Sequence, residues 1–437
     1  MGTTTTTAPV KKALPTEGKP GYKHTKLGWI PEEWEVKPLG KIGKWRGGGT
    51  PSKAEKSYWT GEIPWVSSRD VKKRRLTDTE LHISESGLAN SSSVLLPAGS
   101  LIVVTRSGIL RHTLPACVNE VPMSINQDIK AMVPIRLADS DYVQMLFEGW
   151  NKYLLRSCYK EGTTVESIDF ETLKSFRVPW PLEPERLRIV TVLRAWDRAI
   201  ATAQQLLAAQ QQRKRGLMQE LLSGKKRFPG FEGKWKEVRL GELGDTYNGL
   251  SGKNGADFGE GKPYITYLNI FNNSRIDINQ VDYVRVGLNE RQSRVQRGDL
   301  FFTVSSETPD EVGMASVMLD DVEEMYLNSF CFGFRLNSFK VLLPEFARYY
   351  LRSIAFRREL NKLAQGATRF NLSKKQLVKI SLFLPEVAEQ LAIADCLSAT
   401  EREIKTLNNQ IVHLTTQKRG LMQVLLTGTV RLNTQIQ

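Results

Sequence analysis

The sequence predicts an α+β fold in which two mixed α/β blocks are separated by two long helices. Three observations support this prediction. The phrase KRGLMQELLSG at 214–224 returns as KRGLMQVLLTG at 418–428, with nine of eleven positions identical. Apolar residues before each phrase follow a helical spacing, and the chain before each helix contains short apolar runs typical of strands. The chain is therefore predicted to be a tandem repeat with pseudo-twofold symmetry.

The repeat extends well upstream of this phrase. At an offset of 204 residues the matching pairs include Gly162 and Gly366, Leu173 and Leu377, and Leu193 and Leu397. At an offset of 201 residues, WEVKPLGKIG (34–43) resembles WKEVRLGELG (235–244). The change of offset indicates small insertions or deletions between these anchors. Each copy is therefore predicted to contain one block followed by one helix.

These anchors set the boundaries of the predicted parts. We expect a disordered tail at 1–22, block one at 23–181, a central helix at 182–228, block two at 229–383, a distal helix at 384–428 and a tail at 429–437. The predicted strands are IPWVS (63–67), SLIVVT (100–105), IKAMVPI (129–135), YITYLNI (264–270), DLFFTVS (299–305) and FCFGFRL (330–336). The predicted short helices are YVQMLFEGWNKYLL (142–155) and FARYYLRSIAF (346–356).

Each long helix carries the apolar seam of a coiled coil, with steps of four and three residues. The first seam is Ile189, Leu193, Trp196, Ile200, Ala203, Leu207, Gln210, Lys214, Leu217 and Leu221. The second seam is Ile393, Leu397, Thr400, Ile404, Leu407, Ile411, Leu414, Lys418, Leu421 and Leu425. Gly224 and Gly428 follow as predicted C-caps. A whole block separates the two helices, which favours an antiparallel coiled coil. Two helices that belong to unrelated cores are the alternative.

The composition favours a polyanionic partner. Lys and Arg number 61 against 47 Asp and Glu, which gives a net charge of +14 and a pI near 9.5. Such an excess suits nucleic acid, and a merely soluble basic protein is the alternative. No apolar run is long enough for a membrane span, and the N-terminus lacks the apolar core of a secretory signal. The four scattered cysteines argue against disulfides or a zinc site and predict a cytoplasmic protein.

Catalytic motifs are not found in the sequence. DFGEG (257–261) lacks the strand that would precede a methyl-donor glycine loop, and SGKK (223–226) and SGKN (251–254) lack the first glycine of a P-loop. RGGGT (46–50) is predicted to be a flexible turn, and the four histidines do not have metal-ligand spacing. These observations favour a binding protein over an enzyme.

The full pattern resembles the DNA-specificity subunit of type I restriction-modification enzymes. The resemblance rests on the opening LGWIPEEWEVKPLG (27–40) and the closing EGTTVESIDFETLKSFRVPWPLEPERLRIVTVL (161–193). It rests equally on QGATRFNLSKKQLVKISLFLPEVAEQLAIADCL (365–397) and on the phrase that ends each helix. Copy one departs slightly, with Glu185-Arg186 where copy two has Glu389-Gln390. The resemblance covers residues 23–428.

The resemblance implies that each block is a target-recognition domain that reads one half of a split DNA sequence. The coiled coil would set the distance between the half-sites. Two methyltransferase subunits and the restriction and translocase subunits would be partners, and this non-catalytic chain would direct their adenine methylation and restriction. S-adenosylmethionine, ATP and magnesium are expected on those partners, and no cofactor on this chain. A stand-alone DNA-binding regulator or anti-restriction protein is the alternative, and a protein-only scaffold is more remote.

Two further expectations concern DNA. The helices match closely while the blocks barely match, so two dissimilar readers and an asymmetric bipartite target are expected. Basic and amide side chains near predicted strand ends are the DNA-binding candidates, because phosphate contacts position a protein and base contacts specify the sequence. In block one they are Arg46, Ser67, Ser68, Arg69, Lys72, Lys73, Arg74, Arg106, Arg111, His112, Lys160, Thr163 and Thr164. In block two they are Asn248, Ser251, Lys253, Asn254, Asn269, Asn272, Asn273, Arg275, Ser305, Ser306, Arg369, Asn371, Lys374 and Lys375. Ordinary turn chemistry is the alternative for the asparagines, and a solvated charged face is the alternative for SSRDVKKRR (67–75).

Overall fold

A computed structural model describes residues 20–160, 165–287, 289–364, 366 and 369–432. The chain divides into two compact units. Unit 1 combines the chain up to Thr202 with the segment from Ile411 onward, and unit 2 is Ala203–Gln410. Each unit therefore contains one block and one half of each long helix.

The bounds of the elements are as follows. The strands of the first block are β1 (Tyr22–Thr25), β2 (Gly28–Pro31), β3 (Glu35–Pro38), β4 (Gly43–Gly47), β5 (Ile63–Val66), β6 (Arg75–Leu76), β7 (Leu81–Ile83), β8 (Leu101–Val104), β9 (Ala116–Asn119), β10 (Ser124–Ile125), β11 (Ile129–Pro134), β12 (Tyr159–Lys160), β13 (Ser167–Ile168) and β14 (Arg177–Trp180). Those of the second block are β15 (Lys236–Arg239), β16 (Gly244–Asn248), β17 (Phe258–Ile265), β18 (Val281–Val284), β19 (Leu300–Thr303), β20 (Ser305–Ser306), β21 (Ala315–Val317), β22 (Tyr326–Leu327), β23 (Cys331–Leu336), β24 (Phe370–Asn371) and β25 (Ser381–Leu384). The helices are α1 (Glu85–Ala89), α2 (Ser140–Gly149), α3 (Asn151–Cys158), α4 (Phe170–Ser175), α5 (Glu183–Leu221), α6 (Tyr267–Asn272), α7 (Pro344–Tyr350), α8 (Ile354–Leu363), α9 (Lys374–Leu377) and α10 (Val387–Leu426).

The two blocks share one sheet topology. In unit 1 the main sheet has the order β4-β11-β8-β9-β6, and a smaller sheet has the order β10-β5-β7. In unit 2 the corresponding orders are β16-β23-β19-β21 and β18-β17-β22. Both smaller sheets pair their central strand in parallel with one neighbour and antiparallel with the other. The predicted tandem repeat of mixed α/β blocks is confirmed.

The central strand of each main sheet is buried on both faces. Side chains alternate along a strand, so Leu101 and Val103 of β8 pack in one core with Tyr142 of α2, while Ile102 and Val104 pack in another with Val66. Strand β19 behaves likewise. Leu300 and Phe302 face the core that contains Phe346, and Phe301 faces the core that contains Ile265. The continuous apolar runs LIVV and LFFT therefore form these central strands.

The long helices α5 and α10 pack as an antiparallel coiled coil, as predicted. In unit 1 the Lys418 ammonium lies 2.7 Å from an Asp197 oxygen. In unit 2 the Lys214 ammonium lies 2.6 Å from a Glu401 oxygen. Also within unit 2, Arg227, thirteen residues after Lys214, pairs with Glu389, twelve residues before Glu401. The two helices therefore run in opposite directions.

All twenty seam positions are buried or half-buried. The positions between them include exposed residues such as Lys405 and Val412. In the described part of the chain, no helix combines the length and the apolar character that a membrane crossing needs.

Both predicted C-caps have the left-handed backbone that ends a helix. Gly224 has φ +69° and Gly428 has φ +70°. Their amides donate to Leu221 and Leu425 at 3.3 and 3.2 Å, so they satisfy carbonyls that the helix itself leaves open.

Several expected elements have different bounds. The predicted strand 264–270 ends at Ile265, because the Thr266 side chain accepts the Asn269 amide and starts α6. The predicted helix 346–356 is two helices, because the Ser353 side chain caps the start of α8. The predicted helix 142–155 is likewise divided into α2 and α3.

The glycine run at 47–49 is packed, which corrects the predicted flexible turn. Gly47 lies on β4. A Cβ at Gly48 would lie 2.0 Å from the Ile125 carbonyl oxygen, and one at Gly49 would lie 2.1 Å from Ser92 Oγ. The glycines are needed here for close backbone approach.

Replacing Lys418 with methionine should destabilise the protein. The Lys418 side chain is 5% exposed and pairs with Asp197 and Glu148, so its loss removes one of the two cations that these half-buried carboxylates share. We expect a loss of roughly 1–3 kcal/mol in urea unfolding. Lys405→Met, at an exposed position of the same helix, is the control and should stay within about 0.5 kcal/mol of the parent. Equal losses in the two variants would contradict a specific role for the ion pair.

Two glycines of the repeated phrase should respond oppositely to alanine. No atom lies within 4 Å of a Cβ built at Gly216, inside α5, so Gly216→Ala should stabilise by about 0.5–1 kcal/mol. Gly224 has a left-handed backbone, so Gly224→Ala should destabilise by about 1–2 kcal/mol. Denaturant midpoints of the two variants measure this, and shifts of the same sign would refute the capping role.

Candidate nucleic-acid interface

The end of the central strand is held in the same way in both units. In unit 1 the Thr105 and Arg106 amides donate to the Asp128 carbonyl at 2.9 and 3.1 Å. The Asp128 amide in turn donates to the Asn126 side chain at 3.1 Å, and Arg106 forms a β-bridge with Ser167. We call Arg106, Asp128 and Ser167 loop cluster 1.

In unit 2 the Val304 amide donates to the Phe330 carbonyl at 3.1 Å. The Phe330 amide donates to the Asn328 side chain at 2.8 Å, and Ser305 pairs with Asn371. We call Ser305, Phe330 and Asn371 loop cluster 2. The two clusters share one backbone framework but carry different side chains.

The clusters differ in chemistry. In loop cluster 1 the Arg106 guanidinium lies 3.8 Å from the Asp128 carboxylate, and their side chains are 58% and 29% exposed. In loop cluster 2 Phe330 is 63% exposed, more than any other phenylalanine in the described residues. One cluster thus presents two opposite charges and a hydroxyl, and the other presents a hydroxyl, an aromatic ring and an amide.

The basic turn after β5 opens onto a cleft beside loop cluster 1. The Ser67 amide and hydroxyl donate to Asp70 at 2.8 and 2.7 Å, which fixes the turn. Arg69, Lys72 and Lys73 are exposed and line a cleft of about 560 Å³. Ser68, Arg74, Ser107 and Ile109 line it too. Arg74 differs from its neighbours because it pairs with Glu148 and Asp197, so its charge is neutralised within the unit.

Other candidates of unit 1 take part in ion pairs. Arg111 pairs with Glu166, and the pKa of that carboxyl is below its usual value because it accepts its own backbone amide and the Arg111 guanidinium. The Lys160 ammonium lies 2.5 Å from the Asp169 carboxylate and lowers the pKa of that carboxyl to about 2.

The remaining candidates of unit 1 differ in their surroundings. His112 is exposed. Arg46 is exposed on β4 and pairs with Ala131 of β11, so it lies within a strand rather than in a loop. Thr163 and Thr164 lie outside the described residues.

Several candidates of unit 2 are close in sequence to Ser305 or Asn371 of loop cluster 2. Arg369 and Lys375 are exposed. The Lys374 ammonium donates to the Asn248 side chain and lies 5.4 Å from the centre of the Phe332 ring. Burial lowers the pKa of Lys374. Ser306, only 8% exposed, donates to Glu311 at 3.3 Å.

The remaining candidates of unit 2 have partners inside the fold. Asn269 is 2% exposed and donates to the Asp277 and Gln280 carbonyls, so its side-chain amide is used within the fold. Asn254 caps a short 3-10 helix, so turn chemistry accounts for it. Lys253 pairs with Glu290 at 2.6 Å and lowers the pKa of that carboxyl to about 2.

Two neighbouring side chains likewise have partners, because Asn273 donates to Asn269 and Arg275 pairs with Asp320 at 2.6 Å. Ser251 exchanges two hydrogen bonds with the Gln292 side chain through its backbone amide and carbonyl. Asn272 is exposed.

Asp128 and Phe330 are the residues that sequence reasoning missed. A single acid or phenylalanine in a loop does not show a readable pattern. The signal that could have identified them is the comparison of the two copies. Asn126 lies two residues before Asp128 in SINQD, and Asn328 lies two residues before Phe330 in YLNSF. Aligning the two copies through these asparagines would have identified the position.

Comparisons with known proteins agree with this duplicated architecture. A family model described as the type I restriction modification DNA specificity domain matches residues 31–210 and again 232–415. The chain is 39% identical over 177 residues to the EcoR124I/EcoR124II type I restriction enzyme specificity subunit of Escherichia coli, covering 40% of this chain and 44% of that subunit. The chain thus spans less than half the length of that relative. It is 24% identical over 428 residues to the MjaVIII type I restriction enzyme specificity subunit of Methanocaldococcus jannaschii, covering 92% and 94% of the two chains.

A solved structure shares the fold. The HsdS subunit from Thermoanaerobacter tengcongensis superposes with a TM-score of 0.52 at 17% identity, covering 92% of this chain and 98% of that chain. The two family matches coincide with the two blocks and the long helices that follow them. The chain therefore belongs to the family of type I restriction-modification specificity subunits and carries two DNA specificity domains.

Proposed function

We propose that each unit reads one half of an asymmetric, bipartite DNA target. The observation that carries this proposal is the pair of loop clusters. One backbone framework presents Arg106, Asp128 and Ser167 in unit 1 and a different set in unit 2. Two identical readers would favour a palindrome, whereas two chemically different readers favour two unlike half-sites.

The side chains suit contacts to different base edges. The Asp128 carboxylate accepts hydrogen bonds and matches the exocyclic amino group of cytosine, while Arg106 matches the two acceptors of guanine. Phe330 suits apolar contact with the thymine methyl group, and Asn371 suits the donor and acceptor pair of adenine.

Basic side chains next to the clusters supply the phosphate contacts in this proposal. The exposed basic side chains are Arg69, Lys72 and Lys73 in unit 1 and Arg369 and Lys375 in unit 2. Such contacts give affinity and register without reading sequence.

The coiled coil is proposed to set the distance between the half-sites. Helices α5 and α10 contain 39 and 40 residues, which corresponds to roughly 60 Å at about 1.5 Å per residue. One turn of duplex is about 34 Å, so the helix length suits half-sites one to two turns apart.

Catalysis is proposed to reside on other subunits. The relatives are named as specificity subunits of restriction enzymes, so two methyltransferase subunits and restriction subunits are the expected partners. S-adenosylmethionine, ATP and magnesium would bind to those subunits.

Co-expression with the methyltransferase subunit encoded beside this chain, followed by sequencing that detects methylated adenines, tests the proposal. We expect methylation at a split motif whose halves differ. The proposal would be wrong if no methylated motif were found, or if the methylated motif were a palindrome. Tight site-specific binding by the purified chain alone in a gel shift would favour the stand-alone regulator. Unchanged methylation after Arg69→Ala with Lys73→Ala would favour a protein-only scaffold.

The same assay tests the spacing. Residues 204–210 and 405–411 face each other in the antiparallel register that the two ion pairs define. Deleting both heptads shortens the coil by about 10 Å, so the gap in the methylated motif should shrink by about three base pairs. An unchanged gap would refute the role of the coiled coil as a ruler.

Substitutions at the two clusters should relax different half-sites. Asp128→Asn should loosen the sequence requirement in one half of the motif, and Phe330→Ala should loosen it in the other. Each lost base contact costs roughly 1–3 kcal/mol of discrimination. Tyr283→Ala, which removes an aromatic ring that is 47% exposed on β18, is the control and should leave the motif unchanged. Loss of discrimination in the same half-site by both cluster variants would contradict the assignment of one reader to each unit.

A further inference from the structure

The junction between the helices and each block contains a charge cluster that differs between the units. In unit 1 the cluster is balanced. Lys418 and Arg74 supply two positive charges, and Asp197 and Glu148 supply two negative ones. Each cation of this cluster pairs with both carboxylates.

The equivalent cluster in unit 2 has an excess of positive charge. Lys214 and Arg348 share one carboxylate, Glu401. Arg352 donates to the backbone carbonyls of Ala315, Ile270, Phe271 and Asn273 and has no carboxylate partner among the described residues. Within the described part of the chain, three cations thus face one anion in this cluster, whereas the nearby Arg275 is already paired with Asp320.

The duplication explains where this excess arises. At the offset of 204 residues, Gln144 and Glu148 of α2 correspond to Arg348 and Arg352 of unit 2. This alignment is supported by burial, because Tyr142 and its counterpart Phe346 are both fully buried. Unit 2 therefore has an arginine where unit 1 has a neutral amide, and another where unit 1 has a carboxylate.

The cations of unit 2 surround an open cavity of about 370 Å³. Lys214, Arg348, Arg352, Asn272 and Ser274 line it, together with the Glu401 carboxylate that Lys214 and Arg348 share. Arg348 is 9% exposed, and its Nε atom is buried without a hydrogen-bond partner among the described residues. Burial lowers the pKa of Arg352 to about 10, and Arg357 nearby adds to this effect. Buried guanidinium groups in such surroundings are stabilised by an anion.

We propose that this cavity binds a phosphate group. Two uncompensated positive charges match its charge, and the planar guanidinium of Arg348 presents donors in the geometry that phosphate oxygens accept. The Asn272 amide and the Ser274 hydroxyl supply neutral donors at the rim. The phosphate comes either from a small molecule or from a DNA backbone, and this site does not depend on the base-reading role of the loop clusters.

Thermal unfolding of the full chain in inorganic phosphate, at constant ionic strength set with sodium chloride, tests the proposal without DNA. Millimolar phosphate should raise the unfolding temperature by roughly 2–4 °C. Arg348→Gln, which installs the residue that unit 1 has at this position, should abolish the rise. Arg358→Gln, an exposed arginine of α8 that does not line this cavity, should retain it.

The two sources are separated by competition. A DNA backbone phosphate is identified by two results together. A DNA duplex displaces inorganic phosphate, and the salt dependence of DNA binding in Arg348→Gln corresponds to about one phosphate contact fewer than in the parent. Retention of phosphate in the presence of duplex identifies a small phosphate ligand. If Arg348→Gln does not fold, Lys214→Gln replaces it and should likewise abolish the rise in unfolding temperature in phosphate. Equal stabilisation of the parent and the cavity variants, or none in the parent, would overturn the proposal.

Discussion

The ion pairs Lys418–Asp197 and Lys214–Glu401 fix the register on which the paired helices depend. An apolar seam alone tolerates slippage by a heptad, since leucine-rich layers resemble one another. The Lys418 side chain is 5% exposed, so a slipped register would leave its ammonium buried without a carboxylate. That cost is larger than the loss of one apolar contact. Because one pair lies in each unit, the register is specified twice.

These pairs also explain the repeated phrase. Lys214 and Lys418 are the first residues of the two copies of KRGLMQ. Both lysines are positions of the predicted apolar seams, where a charged side chain needs a partner. Each lysine is paired with a carboxylate that the other helix supplies. A lysine on the second helix serves unit 1, and a lysine on the first helix serves unit 2, so the same phrase is required in both copies.

Regular elements could be predicted from the sequence because their apolar residues repeat with the period of a helix or a strand. Seams, caps and central strands follow from spacing, because Leu193 or Phe302 must be buried wherever its element packs. Local capping was harder to predict, and Thr266 converted part of an apparent strand into α6. The charged and amide candidates were the least predictable. Arg74 and Asn269 have side chains suited to DNA, yet both form contacts within the fold. Arg74 pairs with the distant Glu148, and Asn269 donates to the nearby Gln280 carbonyl.

The same reasoning accounts for what the duplication has kept and what it has changed. A residue whose partner lies in the other copy of the helix, such as Lys214 or Lys418, is tied to that partner's chemistry, so both copies match. A residue such as Asp128 or Phe330 is positioned through its backbone, by an asparagine within its own unit. Its side chain is therefore free to differ without disturbing the fold. The loop clusters and the cavity at Arg348 are thus the places where the two units acquire different chemistry.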